Sequence, residues 1–198
     1  MRRIALLFAL LLAVPALHAA PPAPSGALPA APAASSSWKA KLAAELPLLG
    51  HRNWILIVDS AYPLQTSPGV ETVETNASQL DVVRYVLNTV NHSIHVRPDV
   101  YMDAELPFVP DQDAPGASTY RAQIASVLKD YKVQSELHDK IIATIGQTGS
   151  QFHVLVLKTT LTIPYSSVFI RLNCKYWSDD AEQHIRTKMA AASLSTNR

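Results

Sequence analysis

The sequence predicts an α/β fold, a layered sheet flanked by helices, on three observations. Residues 54–58 (Trp-Ile-Leu-Ile-Val) form an unbroken apolar run, the pattern of a strand buried on both faces. Residues 79–90 instead place Leu80, Val83, Leu87 and Val90 on one face at helical spacing, with Asp81 and Arg84 paired on another. Segments of these two kinds then alternate along the chain, as strands and helices do in a layered domain.

The chain has 198 residues, and its first part reads differently from the rest. Met1-Arg2-Arg3, an apolar run over 4–12 and a small-residue end describe a signal peptide over residues 1–20. The apolar run is too short for a comfortable membrane span, so no span is expected once the signal is removed. No cysteine lies near the cleavage region, which argues against a lipoprotein anchor. Residues 21–37 are almost all Ala, Pro and Ser, a composition that buries no core and reads as an extended linker. Residues 38–198 are enough for one domain. The expected location is periplasmic or secreted. Cys174 is the single cysteine, so stability has to come from packing, with oligomerisation as a possible aid. A formal net charge of +1 gives no electrostatic case for nucleic acid or an anionic membrane. No metal-ligand cluster of recognisable spacing is present in the sequence.

Within the domain, a short helix over 38–48 ends at Pro47, and Gly50 turns the chain into the first strand. Residues 63–76, containing Ser67-Pro68-Gly69, read as a polar loop. After the helix at 79–90, residues 95–102 predict a second strand, which Pro98 pushes towards an edge or a bulge. A Pro- and Asp-rich loop covers 107–115. Helices follow over 118–131, capped near Ser118, and over 137–145, closed by Gly146 and Gly149. Strands at 152–159 and 167–172 are apolar enough for central positions, and 179–192 is a weak last helix.

Two ionisable groups bracket the first strand: His51 before it and Asp59 at its carboxyl end. Imidazole titrates nearest neutrality and suits general acid/base work, although a loop histidine bonded to backbone is the plainer reading. Asp59 either caps the next turn through the Ser60 and Ala61 amides or meets a ligand beyond the strand end. A strand rising ~3.3 Å per residue separates the two by roughly 25 Å. Either the chain bends near Gly50, or the pair meets across a subunit interface, or only one acts. Tyr165, at the mouth of the last strand, packs its ring and sends its hydroxyl to solvent, or stacks on a ligand. His138 opens a helix, where solvation is the plainer reading. His92, His95 and His153 show no partner spacing. Asp103 and Glu105 follow the second strand, as crevice residues or as a solvated loop pair.

Leu49-Gly50-His51, the apolar run over 55–58, Asp59 and Pro63 resemble the first motif of the D-ribose pyranase / L-fucose mutarotase (RbsD/FucU) family. Pro164-Tyr165-Ser166-Ser167-Val168-Phe169-Ile170 resembles that family's final Tyr-x-Asn turn and strand. The helix carrying Asp81 and Arg84 resembles the family's first helix after its site loop. The resemblance implies an isomerase interconverting anomers or ring forms of a free monosaccharide, without metal or cofactor. It implies His51 as the acid/base and Asp59 as the group orienting sugar hydroxyls or the histidine. Tyr165 would contact the sugar, with Ser167 and His138 completing the expected binding set. It also implies a homo-oligomeric ring with the site at a subunit interface. Three positions depart from the family pattern: Ser167 replaces asparagine, Thr160-Leu161 replaces a Gly-Glu pair, and Thr75 or Asn76 stands where an acidic residue is common. Those departures motivate the alternative, a non-catalytic carbohydrate-binding or interaction domain on the same fold.

Overall fold

The computed structural model describes residues 37–196, with side chains from Trp38 to Ala192. The expected signal peptide and linker lie outside the described residues. Six strands form one mixed sheet: β1 (Trp54–Val58), β2 (Val70–Glu74), β3 (Val96–Asp103), β4 (Gln134–Glu136), β5 (Val154–Lys158) and β6 (Val168–Cys174). Their spatial order is β2-β5-β1-β6-β3-β4. Only β6 runs against its neighbours, which makes the other five mutually parallel. The carboxyl ends of five strands and the start of β6 therefore share one edge of the sheet. In a sheet of this kind, that edge is where ligands gather.

β1 lies at the centre, and all five of its residues are buried. Strand alternation divides the core in two. Ile55 and Ile57 join Leu155, Leu157, Ile170 and Leu172 under α1 (Ser37–Glu45), α2 (Gln79–His92) and α3 (Ala117–Val127). Trp54, Leu56 and Val58 join Val154, Val156 and Phe169 under Ile141 and Ile145 of α4 (His138–Gly149). The predicted α/β fold is thus the observed one, with helices on both faces. A fifth helix, α5 (Asp179–Thr196), follows the sheet. Among the described residues no helix is long and apolar enough to cross a membrane.

Several local expectations need correction. The loop predicted over 63–76 contains β2, whose Val-Glu-Thr-Val-Glu sequence is half-buried at the sheet edge and so lacks a continuous apolar signal. Gly69 makes its docking possible. A Cβ there would lie 2.7 Å from the Gly149 carbonyl oxygen, which the Gly69 amide bonds at 2.8 Å. The predicted start of α3 at Ser118 is also displaced. Gly116, at φ 90°, is the N-cap, and Asp111 accepts both the Gly116 and Ser118 amides. α4 does not stop at Ile145 but runs through Gly146 to Gly149, because its apolar face stays packed. Pro98 is accommodated without a bulge. It pairs with Leu172 on one side, while β4 covers only Tyr101–Asp103 on the other, leaving a local edge.

Candidate active site

The parallel arrangement brings Asp59, Asp103, His138 and Tyr165 to one edge, although they are scattered over more than half of the domain. Asp59 and Asp103 end β1 and β3, His138 follows β4, and Tyr165 precedes β6. A cavity of ≈ 420 Å³ opens there, lined by Asp59, Ser60, Tyr62, His138, Thr162 and Tyr165 among others. Its size is within the ~300–1,000 Å³ of ordinary small-molecule sites.

His138 is the best supported of these groups. Its Nδ1 lies 3.1 Å from Oδ1 of Asp103, whose side chain is wholly buried. Its backbone amide donates to both oxygens of Glu105, at 3.0 and 3.1 Å. An acid at this position satisfies an orphan amide of the helix and complements the helix dipole. The imidazole is therefore held from two sides, and with Nδ1 engaged, Nε2 is the nitrogen left for a ligand. Tyr165 packs edge-on against this ring, with centroids 5.3 Å apart and planes at 86°.

The electrostatics follow from burial. Desolvation raises the Asp103 carboxyl to about 6. The His138 hydrogen bond and charge oppose that rise, while the Glu105 and Asp59 charges add to it. Its second oxygen, Oδ2, is buried without a hydrogen bond. Tyr62 is also buried, and desolvation, followed by the Asp103 and Asp59 charges, lifts its phenol well above the usual tyrosine range. Tyr62 is thus a neutral hydroxyl beside two carboxylates, hydrogen-bonded to Gln65 at 3.1 Å. Asp59 caps the turn through one of the two expected amides: Oδ1 accepts the Ala61 amide at 2.8 Å, the Ser60 amide bonds the Leu161 carbonyl instead, and the Asp59 side of the turn lines the cavity.

Two expected members of the site are elsewhere in the chain. His51 is exposed in the turn before β1, at the opposite edge of the sheet from Asp59. The chain does not bend at Gly50 to bring the two together within one copy, because β1 runs straight through the sheet centre. Ser167 is fully buried at the start of β6, does not line the cavity, and its Oγ lacks a partner. Tyr62 and Thr162 are lining residues that sequence reasoning missed; for Tyr62, its position in the Ser-Ala-Tyr-Pro run after Asp59 was the available signal.

Among the described residues, one group has metal-ligating character: Glu45, Glu71 and His153, with ligand atoms within 4.8 Å of one another. It lies at the edge where β2 and β5 begin, away from the cavity. The Lys41 ammonium already bonds Glu45 at 2.7 Å and Glu71 at 2.6 Å.

No protein-family model matches the chain, and neither does any curated protein. Solved structures do. Bacillus subtilis RbsD complexed with D-ribose superposes with a TM-score of 0.50 at 14% identity, covering 67% of this chain and 91% of that one. FucU from Bifidobacterium longum gives 0.46 at 12% identity, covering 68% and 94% respectively. The Streptococcus pneumoniae fucose mutarotase in complex with L-fucose gives 0.42 at 17%, covering 67% and 91%. The likeness to RbsD over most of that protein's length establishes the fold: this chain is built on the RbsD architecture.

Proposed function

We propose that this chain is a divergent, exported member of the D-ribose pyranase / L-fucose mutarotase family that interconverts ring forms or anomers of a free monosaccharide. The observation that carries this reading is the convergence of Asp59, Tyr165 and the Asp103-backed His138 on one cavity. Ring opening needs a base for the anomeric hydroxyl proton and an acid for the ring oxygen. His138 relays protons through Nε2, with Asp103 holding Nδ1. Asp59 supplies the second carboxylate and orients sugar hydroxyls. Tyr165 offers its ring to an apolar sugar face, and Tyr62 offers a neutral hydroxyl.

His51 takes part only across a subunit boundary. Copies would associate so that one copy's exposed His51 faces the next copy's cavity, completing an acid/base pair with Asp59. The family resemblance of Leu49-Gly50-His51 and the position of His51 outside its own cavity support this arrangement. Saturation-transfer NMR on D-ribose, L-fucose and related sugars tests the activity. Anomer exchange should be faster with wild type than without protein, and His51→Ala and Asp59→Asn should each abolish the gain. Mixing the two inactive variants should restore part of it if the site is shared. Equal exchange with and without wild-type protein would defeat the enzyme reading.

Ser167 and Leu161 favour a second reading, carbohydrate binding without turnover. The first has its hydroxyl withdrawn from the cavity, and the second places an apolar side chain where the family has a carboxylate. A sugar-dependent rise in melting temperature with no gain in exchange would select it.

A further inference from the structure

Tyr165 has φ 56°, left-handed backbone that a bulky residue adopts only at a cost. Such a conformation persists only where its surroundings over-determine it. Pro164 precedes it with a locked φ, and Ser166 follows it fully buried. The Ser166 hydroxyl donates to the Ile163 carbonyl at 2.6 Å, and its own carbonyl accepts from Tyr120 at 2.7 Å and from the Gln79 amide.

Gln79 connects these bonds to the rest of the sheet. It is the first residue of α2, only 2% exposed, yet it carries an amide into the core. Its Nε2 donates to the Tyr120 hydroxyl at 2.9 Å and to Ser166, while its Oε1 accepts from the Thr159 hydroxyl at 3.0 Å. The Thr159 hydroxyl also lies 2.9 Å from the Val58 carbonyl, beside Asp59. One amide thus joins both ends of the segment 159–166, and through Thr159 that segment is tied to the end of β1. A buried amide is costly to keep unless its hydrogen bonds are made, and here all three are.

We propose that Gln79 is the positioning residue of Tyr165: from behind the cavity, its amide holds the strained turn that presses the Tyr165 ring onto His138. The inference deepens the sugar-site reading, since it concerns the same Tyr165, but its readout needs no sugar. The T-shaped contact places the two rings close enough for each to shift the other's resonances. Tyr165→Leu sets the reference change in the His138 imidazole proton shifts. Gln79→Leu should reproduce about half of that change or more, while its amide spectrum stays folded. Tyr120→Phe, which removes one hydroxyl and leaves the Gln79 bond to Ser166, should move the same resonances by a smaller amount in the same direction. If Gln79→Leu does not fold, Tyr120→Phe alone decides. His138 resonances at their wild-type positions in the folded variant, with amides near Thr159 and Ser166 displaced, would overturn the proposal. Loss of sugar response in wild type with these shifts intact would instead count against the sugar reading alone.

Discussion

The two ends of β1 invite comparison. At its start, His153 meets Glu45, and Lys41 bonds both Glu45 and Glu71, all of them partly exposed. At its finish, Asp103 and Tyr62 are buried, and each is pushed away from its charged form. The first cluster sets one ammonium between two carboxylates at a partly exposed surface, where pairing contributes little. The second keeps a carboxyl in the core with one oxygen unbonded, which no stability argument requires. Ionisable groups held at a cost beside a cavity mark that end of β1 as the candidate site. Charge clusters of similar composition thus differ in meaning because they differ in burial.

Removing one histidine from each end separates the two clusters most strongly. His138→Ala should lower sugar exchange by about 10²–10⁴-fold, the usual contribution of a positioned acid/base group. His153→Ala should leave exchange within about twofold of wild type. A fall of equal size in both variants would erase the distinction.

Asp103→Asn tests whether the carboxyl is held at a cost. The folded-state value near 6 lies above the ordinary 3.8, so the folded protein binds the proton more tightly than the unfolded chain. The wild type is therefore relatively most stable below about pH 4 and loses that advantage as pH rises through about 6. The Asn variant has no such loss. Denaturation should find it more stable than wild type at pH 7.5 by on the order of 2–3 kcal/mol, with the gap closing below about pH 4. Lower stability of the variant at every pH would mean that the carboxylate is structural.

Tyr165→Asn relieves the left-handed backbone, since Asn adopts it more readily. A stability gain of about 0.5–1 kcal/mol together with weaker sugar binding is expected from thermal denaturation and titration. The smallest effect should come from the opposite edge. Lys41→Met should lower the melting temperature slightly, by less in high salt than in low, and leave exchange unchanged.

How much of this was legible in the sequence depended on the range of the signal. β1 was legible because a short apolar run rich in Trp, Ile and Val between turn residues fits a buried strand, and Asp59 followed from its position at that strand's end. α2 was legible from its spacing, although Gln79, apparently just a polar start to the helix, proved to be a core residue. The His138–Asp103 pair was not legible as a pair. Its members lie 35 residues apart and meet only because β4 adds in parallel beside the end of β3. β2 was hidden for a related reason: Glu71, Thr72 and Glu74 interleave with its two valines at a half-buried edge, so its strand character comes from pairing with β5. His51 marks the opposite limit. Its motif was the most recognisable in the chain and its spacing already set it a strand's length from Asp59, yet local sequence could not say whether it would meet a cavity.

If the buried carboxyl of Asp103 sets the proton-transfer chemistry of His138, the pH dependence of sugar exchange has to carry its transition. Anomer exchange of D-ribose and L-fucose, followed by saturation-transfer NMR from pH 4.5 to 8 (about the range that brackets the Asp103 transition), tests it most directly. The protein-dependent rate should rise through about pH 6 in wild type, a step that Asp103→Asn removes. A wild-type rate equal to that of buffer alone across the range, or a step unchanged in Asp103→Asn, would contradict it.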